Sequence, residues 1–180
     1  MKIVDANVLL YATNSDASQH QACRAWLEAA LNGNEPVGFD WTVLLAFLRL
    51  ATKPQVFVWP LSPAQAFERI RLWLSTPAAM MMAPGDRHLD VLESLLAPLS
   101  TAGNLTADAH LAALALEHGA AVVSCDADFE RFSGVIRVNP LKSSLPNGGL
   151  PRHGNSARVE PRDRPIRRSR LTSTASGRRP

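Results

Sequence analysis

The feature that most limits what this chain can fold into is its alternation of very short aliphatic runs with helical patterns, sustained to about residue 142. Ile3-Val4, Val37-Gly38-Phe39, Ala79–Met82, Ala120–Ser124 and Val135–Val138 each have the length and composition of a strand. Helical periodicity fills the gaps. Ser18, with Gln21 three residues on, reads as a capping box opening a helix that Asn32-Gly33-Asn34 ends. Trp41 to Thr52 reads as a mostly buried helix stopped at Lys53-Pro54. Gln55 to Leu61 is a loop with Val56, Phe57 and Trp59 as apolar anchors. Ser62-Pro63-Ala64-Gln65 opens a helix to Leu74 with an N-cap and a proline at the first helical position. Asp86 caps a helix through Leu89, Leu92, Leu95 and Leu96. Asn104 to His118 forms another, closed by Gly119, and Asp126 to Arg131 is a short helical turn. Met80-Met81-Met82 reads as core filling. Strands alternating with helices throughout imply an α/β fold, with a mainly parallel central sheet flanked by helices.

Composition divides the 180 residues in two. Residues 1–142 carry 10 Lys and Arg against 14 Asp and Glu, whereas 143–180 carry 9 Arg against 2 acids, so the overall charge of +3 comes from the tail. In that tail Gly, Pro, Ser and Arg dominate and no periodicity survives. It cannot bury enough apolar surface to offset ordering entropy, and it is expected to be a disordered segment, 143–180, following a folded domain, 1–142. Arg-rich disorder of this kind binds RNA non-specifically through phosphates. Cys23 and Cys125 make no CxxC or metal spacing, and a cytoplasmic, reducing setting with both thiols in the core is expected. Asp5 interrupts the place where a secretory apolar region would begin, and no apolar run is long enough to span a membrane.

The chemistry is concentrated in acids at strand ends. Asp5 follows the first strand directly, and Asp126 follows the fourth. Asp108 lies within about a turn of a helix start, among the small and apolar Leu111, Ala112 and Ala115. Asp128 comes two residues after Asp126. In parallel sheets the carboxyl ends of strands are where ligands bind. Taken singly, Asp5 or Asp126 could cap a helix and Asp128 could be a solvated surface acid. Together, converging carboxylates repel one another, and a divalent cation relieves that repulsion. Hard oxygen ligands suit Mg²⁺ or Mn²⁺, which can activate water for in-line displacement at phosphorus.

The stretches "IVDANVLLYA", "NLTADAHLAALALEHGAAVVSCDADFERF" and "VIRVNPL" resemble the PIN-domain ribonucleases, specifically the VapC-type toxins of type II toxin–antitoxin pairs. "LLAFLRLATKPQVFVWPLSPAQA" is similar to a mycobacterial-type branch. The resemblance covers about residues 1–142 and implies a PIN-like three-layer fold and a Mg²⁺-dependent endoribonuclease leaving a 5′-phosphate and a 3′-hydroxyl. It implies Asp5 and Asp108 as metal ligands, and Asp126 with Asp128 as further active-site acids. Asn7, Thr106 and Ser124 match supporting polar positions. It also implies RNA as substrate and a cognate antitoxin as partner. One position departs from the pattern: where many PIN domains place a Glu, this chain has Phe47. Asp40 could substitute, but the N-cap of the helix at Trp41 is the better assignment for it.

Two other readings compete. A haloacid-dehalogenase-like phosphatase also places an Asp after its first strand, but it needs a second Asp where this chain has Asn7. A catalytically weak or degenerate PIN protein that only binds RNA or a partner is suggested by Phe47. Phe47, Trp59, Phe67 and Trp73 offer more aromatic area than a small core needs, and are expected to serve a partner, a homodimer contact or the core. His110 falls on a different helix face from Asp108. His20, His88, His118 and His153 share no metal spacing and read as surface or cap residues.

Overall fold

The computed structural model describes residues 1–99 and 102–142. The expected disordered segment 143–180 lies outside the described residues. Five strands, β1 (Lys2–Val4), β2 (Val37–Phe39), β3 (Ala79–Met81), β4 (Ala121–Val123) and β5 (Arg137–Val138), form one sheet in the order β3-β2-β1-β4-β5. Every pairing is parallel. The central strand β1 aligns Lys2 with Val37 on one side and with Ala121 on the other. A strand paired on both edges and covered on both faces must be aliphatic throughout. Ile3, Val4, Val122 and Val123 are accordingly fully buried. Because all strands run the same way, the residues that follow β1, β2 and β4 come out along one edge, and these are Asp5, Asp40 and Ser124.

Among the described residues, six α-helices flank this sheet: α1 (Ala6–Thr13), α2 (His20–Leu31), α3 (Trp41–Ala51), α4 (Pro63–Leu74), α5 (His88–Leu96) and α6 (Thr106–Glu117). Their main contacts fall into two groups, α1 with α2 and α3 and then α3 with α4, and separately α5 with α6. Helix α6 buries Ala109 and every residue from Leu111 to Ala115. A helix apolar nearly all round belongs in the interior, and its alanines let it approach the sheet closely. Gly119 ends α6 with φ +60°, a conformation that only glycine adopts without strain. Gly38 serves a different purpose. A Cβ there would meet the Met82 side chain at 2.8 Å and Ile3 at 3.1 Å, so the bare strand is what lets Met82 cover it.

Several local expectations need correction. The capping box at Ser62 forms, with Gln65 N donating to Ser62 Oγ at 3.3 Å and Ser62 N donating to Gln65 Oε1 at 2.8 Å. The one at Ser18 does not. Helix α2 starts two residues later, with Gln19 at its cap, and the Ser18 hydroxyl bonds the Gln19 side chain. Asp86 is not a cap either, since Arg87 holds that position for α5. Met80 and Met81 are exposed and only Met82 is core, because β3 is an edge strand. In the loop, Phe57 anchors, but Trp59 is 82% exposed. Phe47 and Trp73 are buried and meet edge to face at 4.8 Å, which removes both from any partner surface. Helices α3 and α4 instead expose Trp41, Leu45, Phe67 and Leu72.

Candidate active site

The site is built where β1 and β4 end side by side. Asp5 N donates to Val123 O at 3.0 Å, which carries the sheet pairing one residue past β1. Asp5 occupies the N-cap position of α1 without a side-chain cap bond. Its carboxylate is used sideways instead. Ser124 Oγ donates to Asp5 Oδ2 at 2.7 Å, and Asn7 Nδ2 donates to the same oxygen at 2.6 Å. Asn7 Nδ2 also lies 2.9 Å from Ser124 Oγ, and Asn7 Oδ1 accepts from Cys125 N at 3.2 Å. Ser124, fully buried, accepts from Asp126 N at 2.9 Å. Asn7 and Ser124 therefore lock the two strand ends together and orient Asp5.

Asp126 caps the 3₁₀ turn Ala127–Arg131, accepting from Asp128 N at 2.9 Å. The capping reading of Asp126 is thus correct for one oxygen, and it does not compete with a place beside Asp5. Asp128 is half-exposed and pairs with Arg131 at 3.5 Å. Asp108 sits in the first turn of α6, where the helix N-terminus favours a carboxylate. Thr106 Oγ1, two residues earlier, donates to Gly103 O at 3.0 Å.

Asp108 lies near enough to Asp5, Asp126 and Asp128 to feel their charges. Burial pushes the Asp108 carboxyl up to about 6, and the charges of Asp5, Asp126 and Asp128 add to the rise. Burial also raises Asp5, opposed by the Ser124 hydroxyl and the amides of Ala6 and Asn7, with Asp126 adding to the rise. No side-chain hydrogen bond or ion pair among the described residues engages the Asp108 carboxylate. Among the described residues, no three His, Cys, Asp or Glu side chains already stand as a ligand cage. Burial is the larger cause of the Asp108 rise, and repulsion from the neighbouring carboxylates adds to it. This all-oxygen, over-negative donor set fits a hard divalent cation and fits no soft metal.

Asp40 takes the N-cap of α3, accepting from Thr42 N at 2.6 Å and from the Thr42 hydroxyl. It also meets His110 Nε2 at 3.4 Å. Burial alone would raise the Asp40 carboxyl, but His110 and Thr42 outweigh it and hold it below the usual range. His110 Nδ1 lies 2.9 Å from His88 Nε2, and His88 Nδ1 lies 2.6 Å from Glu117 Oε2. This chain of four side chains ties α3, α5 and α6 together beside the acids. No spacing announces it, because His88 and His110 meet only when α5 packs on α6. His20 and His118 do serve local carbonyls, Tyr11 O at 2.9 Å and Ala83 O at 3.0 Å.

A five-stranded, all-parallel sheet flanked by helices, with acids following its central strands, is an architecture that comparison with known proteins identifies. The chain belongs to the PIN domain family, whose profile matches residues 2–135. It is 51% identical over 135 residues to the ribonuclease VapC37 of Mycobacterium tuberculosis, covering 75% of this chain and 94% of that protein. It is 40% identical over 142 residues to the ribonuclease VapC33 of the same species, covering 79% and 99%. Among solved structures, VapBC2 of Rickettsia felis bound to a promoter DNA fragment shares the fold, with a TM-score of 0.58 at 18% identity over 77% of this chain and 97% of that one. So does Mycobacterium tuberculosis VapC20, a sarcin-ricin-loop cleaving toxin, with a TM-score of 0.57 at 16% identity over 77% and 98%.

Proposed function

We propose that this chain is a metal-dependent endoribonuclease and the toxin of a toxin–antitoxin pair. The observation that carries the reading is the convergence of Asp5, Asp108, Asp126 and Asp128, with Asp108 pushed up to about 6 by burial and by the other three. Asp5 and Asp108 would hold Mg²⁺ or Mn²⁺. A cation bound there would supply charge compensation at the phosphodiester and lower the cost of ionising water. Asp126, aided by Asp128, orients the attacking water and accepts its proton. Ser124 and Asn7 aim Asp5 by donating to Oδ2, and the Ser124 bond opposes the rise that burial imposes on its carboxyl. RNA is the substrate that the names of the relatives suggest.

The structural neighbours that are VapBC assemblies support a cognate antitoxin as partner. Its arginine would meet Asp5 or Asp108 bidentately and displace the cation. The apolar residues exposed on α3 and α4 suit that partner or a second copy in a homodimer. A non-catalytic, RNA-binding reading draws on Phe47, which fills the core where the family pattern has a Glu. One assay decides between them. RNA incubated with the protein should be cut in Mg²⁺ and not in chelator, and a folded Asp108→Ala protein should leave it intact. Equal cutting by Asp108→Ala refutes the catalytic assignment.

A further inference from the structure

Two thiols 102 residues apart in the chain meet at the edge of this site. Cys23, on α2, is fully buried, and Cys125 stands partly exposed between Ser124 and Asp126. Their Sγ atoms are 3.5 Å apart, and both are free thiols. A disulfide requires sulfurs at about 2.05 Å, so roughly 1.5 Å of approach separates this contact from a bond. Cys125 belongs to the segment that organises the acids. Its amide donates to Asn7 Oδ1 at 3.2 Å, and Asn7 in turn holds Asp5. The neighbouring Asp126 amide rests on Ser124 Oγ at 2.9 Å. Drawing Cys125 toward α2 therefore pulls on both bonds that fix Asp5.

We propose that Cys23 and Cys125 form an oxidisable dithiol, and that its closure to a disulfide loosens the acidic site and lowers its activity. The oxidant is a peroxide. The more exposed Cys125 sulfur attacks the peroxide, breaking its O–O bond, to give a sulfenic acid and one water. The Cys23 sulfur then displaces the hydroxyl as a second water, giving the Cys23–Cys125 bond. Both thiol protons leave with the oxygens, two electrons pass to the peroxide, and an external dithiol reverses the change. The effect on RNA cutting rests on the ribonuclease reading, but the bond itself and the loosening do not.

The test treats the full chain with hydrogen peroxide and then with dithiothreitol. Non-reducing peptide mapping should find a Cys23–Cys125 linked peptide that dithiothreitol removes. Backbone hydrogen exchange through residues 124–128 should speed up in the linked form, and RNA cutting should fall by about tenfold to a hundredfold. Cys23→Ala, or Cys23→Ser if that variant folds better, should cut RNA as the reduced protein does and resist the loss. Absence of the linked peptide from the oxidised native chain overturns the proposal. So does a linked protein whose exchange and RNA cutting both match the reduced form. A reduced protein that cuts no RNA refutes the ribonuclease reading alone, and the linked peptide and the exchange still decide the dithiol.

Discussion

Asp108 is the residue whose charge state couples fold and site. Its folded carboxyl titrates near 6, against 3.8 for an ordinary aspartate. The folded protein therefore holds a proton there that the unfolded chain has released. The stability this contributes is full below about pH 4 and is lost as pH rises through 6. Replacing Asp108 with Asn should make the metal-free protein more stable at pH 7, on the order of 1 kcal/mol after allowance for solvent screening. The gain should vanish at pH 4, and urea unfolding at both values checks this. In the native chain, Mn²⁺ affinity should rise as pH passes 6, and calorimetric titration reads that slope. Mg²⁺ or Mn²⁺ should also raise the melting temperature by mass action, and an Asp5→Ala protein should lose that shift. A shift of equal size in Asp5→Ala removes Asp5 from the ligand set.

At the scale of elements, caps and surfaces separate stability from function. Ser62→Ala removes half of the capping box on α4 and should cost about 1 kcal/mol in denaturant unfolding, leaving RNA cutting intact. Asp40→Ala should cost more, because it strips the cap of α3 and also leaves His110 without its carboxylate partner. The two aromatic groups of α3 and α4 should behave oppositely. Trp73→Ala empties a core position against Phe47 and should cost about 3–5 kcal/mol. Phe67→Ser, on the exposed face, should barely change stability but weaken co-purification with a co-expressed antitoxin. If Phe67→Ser pairs as well as the native chain, that face is not the docking surface.

At the scale of the whole chain, cutting after Lys142 should leave the melting temperature nearly unchanged. It should also lower non-specific RNA affinity at low salt and flatten its salt dependence, because nine arginines leave with the tail. Unfolding on truncation would place the tail inside the fold. The sequence by itself determined the α/β class, the five strands and a mainly parallel sheet, since strand length, aliphatic content and helix signals are local. It also determined which acids follow strands, because a carboxylate cannot sit within a doubly buried one. Only the tertiary structure decided the rest. It decided that Asn7 and Ser124 bond Asp5, and that Phe47 and Trp73 turn inward while Trp41 and Trp59 do not. It brought His88 to His110 and Cys23 to Cys125, across 22 and 102 residues. Such pairs are set by how helices pack on one another and on the sheet, and side-chain packing leaves no period in the sequence to be read.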